Sequence, residues 1–142
     1  MPARTPPPTY PSTSAVMKAN PAANTRPERR VRHLLREANF PGYRLHWKKA
    51  PGRPDIAYPS RRIAIFVHGC YWHRCPRCYT SLPKSHVEFW SRKFNENQER
   101  DRRNTAALFD LGWKVFVVWE CELRDTPATA LRPILECLAE AG

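Results

Sequence analysis

Three cysteines, two histidines and two arginines crowd into residues 66–78, Phe66-Val67-His68-Gly69-Cys70-Tyr71-Trp72-His73-Arg74-Cys75-Pro76-Arg77-Cys78. Thiolates hold soft metals, imidazoles move protons, and guanidiniums beside aromatic rings suit a polyanion. Cys75 and Cys78 have the spacing of a pair that folds round one ion; Cys70 precedes them and Cys121 lies far downstream. Tetrahedral zinc takes four such ligands, so an all-cysteine site is expected, with three cysteines plus His73, or no metal, as the alternatives. Four closed ligands would make that ion structural. Asp55 is the candidate for a second, catalytic metal. Gly52-Arg53-Pro54 fixes the backbone before it, and a carboxylate there can hold Mg²⁺ against a phosphate. Turns contain Pro-Asp often, so the pair alone is a weak signal.

The elements around these residues follow from pattern. The apolar run Ile63-Ala64-Ile65-Phe66-Val67 predicts a buried strand that ends in the crowded segment, and ligands gather at such strand ends. Ile56-Ala57-Tyr58, a turn at Pro59-Ser60 and the strand 61–67 predict a hairpin that lays Asp55 beside the segment. Upstream, Thr25, Pro27 and Glu28 read as a capped helix start, with Val31, Leu34, Leu35 and Ala38 as its inner stripe and Asn39-Phe40-Pro41-Gly42 as its end. A strand is expected over residues 43–47, with Tyr43, Leu45 and Trp47 on one side.

Downstream, Ser85 and Glu88 predict a second capping box opening a long helix toward Phe109. At about 100° per residue, Trp90, Phe94, Asp101 and Leu108 fall within about 40° of one another. Asp101 therefore shares the core-facing stripe, and a carboxylate there needs a partner. An arginine is the bland partner and a site histidine the sharper one. Gly112 ends the helix, residues 113–119 predict a buried strand, and a last helix starts at Thr126-Pro127 or at Arg132-Pro133. Leu131, Ile134, Leu135 and Leu138 form its inner side, and Cys137 reads as a small core hydrophobe.

At 142 residues, 42% of them hydrophobic, the chain fits one domain, and its net charge is +11. The excess is spread along the sequence, which points to nucleic acid as the partner, with a merely solvated surface as the alternative. Residues 1–24, rich in proline, read as a disordered or extended arm, ordered on DNA or passive. With no apolar stretch of about 18 residues and no secretory signal, no membrane span is expected. The cysteines are then expected in a reducing, cytoplasmic setting.

The ordered blocks resemble the Vsr endonucleases, the very-short-patch repair enzymes that nick DNA at T·G mismatches. They are Pro51-Gly52-Arg53-Pro54-Asp55, His68-Gly69-Cys70-Tyr71-Trp72-His73, Glu88-Phe89-Trp90, Glu99-Arg100-Asp101-Arg102-Arg103, Leu111-Gly112-Trp113 and Val118-Trp119-Glu120-Cys121. The resemblance covers residues 25–125. The resemblance implies an α/β, restriction-endonuclease-like mixed sheet flanked by helices, carried by residues 25–142, with a structural Zn²⁺ site. It implies that Asp55 and the backbone carbonyl of Val67 hold a catalytic Mg²⁺. His73 becomes the general base, oriented by Asp101. His68 would contact the scissile phosphate or assist the leaving group, and Glu28 is the supporting acid. Tyr71, Trp72 and Trp90 would wedge and stack at the mismatch, with Arg53, Arg102 and Arg103 on the DNA. It also implies a monomer on mismatched double-stranded DNA, with mismatch-repair proteins as further partners. Val67 departs from the polar residue common at its position, and the all-cysteine zinc set from relatives that use a histidine. A zinc-containing DNA-binding module without catalysis, and an endonuclease of this fold with another specificity, are the competing readings.

Overall fold

The computed structural model describes residues 25–73, 75–76, 78 and 84–141, with the side chains of Tyr71, Trp72 and Ala141 left aside. The N-terminal arm, read as ordered on DNA or passive, and the side chains of Tyr71 and Trp72, to which the resemblance assigns DNA contacts, lie outside what is described. Helix α1 (Arg26–Glu37) starts as its sequence predicts. The Thr25 hydroxyl accepts from the Glu28 N–H at 3.3 Å and the Glu28 carboxylate accepts from the Thr25 N–H at 3.0 Å. It stops where Asn39 turns left-handed (φ 72°), with the Phe40 N–H on the Leu35 carbonyl at 2.9 Å. That closure satisfies carbonyls the last turn would leave open.

The expected strand over 43–47 is reduced to β1 (Arg44–Leu45), both residues exposed. His46 takes a left-handed φ of 47° and breaks the pleat, so Tyr43, Leu45 and Trp47 do not share one strand face. β2 (Ile56–Tyr58) and β3 (Ile63–His68) form the predicted hairpin through a 3-10 turn at Pro59–Arg61, pairing antiparallel with Ile56 opposite Ile65. One turn of helix, α2 (Cys70–His73), follows β3; then comes the long α3 (Val87–Asp110). The cap falls one residue later than the expected capping box. The N-cap is His86 at φ 58°, with no side-chain cap, one residue beyond Ser85. β4 (Lys114–Trp119) runs parallel to β3, from Ile63 opposite Lys114 to His68 opposite Trp119. The sheet order β1-β2-β3-β4 is thus mixed. β4 is an edge strand among the described residues rather than a buried one. Only Val118 is buried along it, and Val117 is 40% exposed.

The pleat of β3 sorts the core into two layers. Ile63 and Ile65 pack with Val31 and Leu35 of α1, with Leu123 of α4 (Glu120–Asp125), and with Leu131, Ile134 and Leu138 of α5 (Pro127–Ala141). Ala64 and Phe66 face the other side, with Leu108 of α3 and Trp113. Helices therefore cover both faces. The last helix begins at Pro127, the earlier of the two expected starts, and carries Pro133 inside it. Cys137 joins the first layer.

Candidate active site and cysteine cluster

Asp55 is delivered by a tight turn. Gly52 (φ 77°) and Arg53 (φ 52°) are both left-handed, and a Cβ on Gly52 would lie 2.8 Å from the Asn104 Cβ, so only glycine lets this turn dock on α3. The hairpin register then carries the aspartate back to the end of β3, where its Oδ2 accepts the Val67 N–H at 2.8 Å. The resemblance assigns Asp55 and the Val67 carbonyl to one Mg²⁺, and this N–H contact brings the two residues to the same place.

His68 continues the Ala64–Phe66 side of β3 toward α3, and His73 ends α2 after its N–H bonds the Gly69 carbonyl at 3.1 Å. The two rings stack at 3.8 Å and 4°. His73 Nδ1 lies 2.8 Å from Asp101 Oδ2, so the phase of α3 found a histidine and not an arginine. Glu28, only 3% exposed, faces the same end from α1. Its Oε1 lies 2.9 Å from His46 Nε2, and ligand atoms of Glu28, His46 and Asp55 all lie within 4.8 Å of one another. His46 and Trp119, whose ring meets His68 edge-on at 5.1 Å, are site residues that sequence reasoning missed. His46 carried no signal there except its residue type, since it fell within an expected strand.

Burial pushes the Asp55 carboxyl up to about 6; the Val67 N–H opposes this, Glu28 adds to it, and His46 and His73 pull it down. A carboxylate in that state suits a cation, which would offset its desolvation. Asp101 goes the other way. Burial raises it, but the His73 hydrogen bond and charge, with smaller pulls from His68 and Arg100, hold it below the usual range. His68, 8% exposed, is lowered to about 4, first by burial and then by His73, with Asp101 opposing. It is therefore neutral near pH 7, and its Nδ1 has no hydrogen-bond partner among the described residues.

Beside α2, Cys70, Cys75, Cys78 and Cys121 bring four sulfurs within 4.8 Å of one another. Cys75 and Cys121 sulfurs are 3.7 Å apart, and none of the five cysteines is in a disulfide. A tetrahedral zinc with Zn–S bonds of about 2.3 Å sets its sulfurs about 3.8 Å apart, so the donors and their spacing fit that ion. The Cys121 N–H also points to the Cys70 sulfur at 3.4 Å, support of the kind metal thiolates receive. His73 is engaged with Asp101 and stands in the other cluster.

The residues expected to face DNA divide. Arg53, Arg102 and Arg103 are exposed, Arg102 pairing with Glu99. Trp90, expected to stack at the mismatch, is 4% exposed in this structure, with its ring against Phe94 and Phe89.

A mixed sheet between helices that gathers an aspartate, two histidines and a helical carboxylate at one strand end has the make-up of a nuclease. The sequence comparisons state which kind. Residues 9–79 match the family described as DNA mismatch endonuclease Vsr. The chain is 50% identical to the type II nicking enzyme V.XorIIP of Xanthomonas oryzae pv. oryzae over 80% of its own length and 84% of that protein. It is 38% identical to the DNA mismatch endonuclease Vsr of Escherichia coli over 87% of its length and 79% of that protein. The figure for the type II nicking enzyme V.NmeAIP of Neisseria meningitidis is 40%, over 79% of each. The chain belongs to the Vsr family of DNA mismatch endonucleases. No helix among the described residues is long and apolar enough to cross a membrane.

Proposed function

We propose that the protein is a Mg²⁺-dependent endonuclease that nicks one strand of double-stranded DNA at a T·G mismatch, in very short patch repair. The observation that carries this reading is the 2.8 Å contact between His73 and Asp101 at the strand end that also presents Asp55. Asp101, held ionised, accepts a hydrogen bond from His73 Nδ1–H. That leaves the Nε2 lone pair free to take a proton from water aimed at a backbone phosphate. His68, neutral and stacked on His73, offers an N–H and not a positive charge, which suits a hydrogen bond to the scissile phosphate or to the departing oxygen. Asp55 and the Val67 carbonyl are the residues assigned to Mg²⁺, with Glu28 in support. When bound there, the ion supplies charge stabilisation to the phosphoryl centre. Tyr71 and Trp72 are assigned to the mismatch, where unstacking costs least. Arg53, Arg102 and Arg103 are assigned to the DNA backbone. The four cysteines are assigned to a structural zinc ion. A single chain carries every assigned residue, which suits action as a monomer.

The test is nicking of a labelled duplex carrying one T·G mismatch, with Mg²⁺, beside its fully paired control. Cleavage of the mismatched duplex alone is expected. No cleavage of either would sink the enzymatic reading, and equal cleavage of both would replace the mismatch specificity with another. D101N, which removes the charge that holds His73 in its Nδ1–H form, should lower the single-turnover rate by roughly 10²–10⁴ and leave DNA binding intact. A rate near wild type would refute the assigned base.

A further inference from the structure

His46 has no place in the scheme above, yet it hydrogen-bonds both the main chain of Asp55 and the carboxylate of Glu28 at the cation end of the site. Its main chain is tied to the aspartate turn. The His46 N–H donates to the Asp55 carbonyl at 3.0 Å, and the next residue, Trp47, donates to the Pro54 carbonyl at 3.0 Å. Its side chain reaches the other way, to Glu28 Oε1 at 2.9 Å. Glu28 Oε2 is already committed, accepting the Thr25 N–H at 3.0 Å and the Thr25 hydroxyl at 3.1 Å. His46 therefore fixes the remaining oxygen of a buried carboxylate. It does so from a left-handed φ of 47°, a conformation a histidine adopts at a cost and which ends β1 after two residues. Such outliers persist where the surrounding structure demands them, and they cluster at functional sites. The turn that breaks the strand also swings the imidazole onto Glu28.

We infer that His46 is a positioning residue of the active site: by donating Nε2–H to Glu28 while its backbone holds Asp55, it fixes the two carboxylates in the arrangement that receives the divalent cation. This rests on Asp55 being the cation-holding residue. Outer hydrogen-bond partners of metal-binding carboxylates commonly govern affinity by 10- to 100-fold. Here the partner is an imidazole on a strand end, anchored by main chain to the ligand it serves.

The experiment compares H46Q with H46M in the full-length protein. Both side chains are close to histidine in length; the glutamine amide nitrogen sits about where Nε2 does and keeps an N–H for Glu28, while methionine has none. Mn²⁺ is the probe, because its preference for oxygen and nitrogen donors keeps it off a thiolate cluster, and its binding to free protein is read by water-proton relaxation. D55A marks the site. The expected result is one Mn²⁺ site in wild type that D55A removes, weakened about tenfold or more in H46M and retained in H46Q within a few-fold. The half-saturating Mg²⁺ for nicking should shift in parallel, while DNA binding without Mg²⁺ stays constant. Equal Mn²⁺ affinity in wild type and H46M would overturn the role of His46 and leave the Asp55 assignment standing. Equal weakening in both variants would also overturn it, since a packing role and not the N–H would then be at work. No D55A-sensitive Mn²⁺ site in wild type would overturn both assignments.

Discussion

Two groups of the site titrate in opposite senses as the protein unfolds, and that makes their stability contributions separable. Asp55 is raised to about 6 in the fold from 3.8. Its protonated form is the one the fold prefers, so it contributes stability below about pH 4 that is lost as pH rises through 6. His68, lowered to about 4 from 6.5, opposes this. Below about pH 6.5 the unfolded chain takes up a proton that the folded chain refuses, so its contribution improves stability as pH rises from 4 to 6.5. In wild type without Mg²⁺ the two slopes offset each other across the same window. D55N removes one of them and keeps an oxygen for the Val67 N–H. Its stability should climb from pH 4 to pH 7 relative to wild type, ending higher by at most about 3 kcal/mol, a little over two pK steps. Urea unfolding of both proteins at pH 4.5 and pH 7 measures it. Parallel pH profiles would show that Asp55 is not strained in the fold.

Elements decide which of these residues could be read in advance. The phase of α3 is a rigid property of 3.6 residues per turn, so Asp101 was legible as inward-facing although arginines flank it on both sides. Hairpin pairing was equally legible, and it carried Asp55 to Val67. What escaped were the places where a single left-handed residue overrides a local pattern. His46 cut the expected strand to two residues, and His86 displaced the expected cap from Ser85. Neither residue type announces a positive φ, whereas the glycines at 52 and 112 do. The burial of Trp90 was legible in the helix phase that also placed Asp101. The Gly52 turn gives this level its prediction. G52A would hold alanine at φ 77° and bring its Cβ within 2.8 Å of the Asn104 Cβ, the meeting point of the Asp55 turn and α3. A loss of about 2–3 kcal/mol is expected by denaturant unfolding. N104A should not rescue it, because the colliding atom remains. Full rescue by N104A, or a loss below about 0.5 kcal/mol, would mean that the turn is not pinned to the helix.

At the scale of the molecule, a sheet of short strands is held at its chemical end by the cysteines. Cys70 opens α2 directly after β3, and Cys121 sits in α4 directly after β4, so the four sulfurs tie together the ends of the two parallel strands. His73 lies between Cys70 and Cys75 in the chain, and its ring is stacked on His68 at the end of β3. Without a shared ion, the contacts described across this cluster are single N–H and S–H interactions; α2 is one turn long and cannot hold itself. If four thiolates bind zinc here, metal analysis of purified protein should find one zinc per chain. Stripping it with a chelator strong enough to compete should then cost several kcal/mol of stability, since binding that needs a folded site counts as folding free energy. Nicking should fall with the zinc and not be restored by Mg²⁺ alone, because the lost part is the placement of His73 rather than the cation on Asp55. C121S should reproduce both effects. The basic surface is remote from this dependence: the +11 charge acts through the phosphates of any duplex. Weak, salt-sensitive binding to fully paired DNA should therefore outlast the loss of nicking as zinc is withdrawn, with nicking following the zinc content. A zinc-free protein with unchanged melting and unchanged nicking would show that the cluster is four thiols packed together and nothing more.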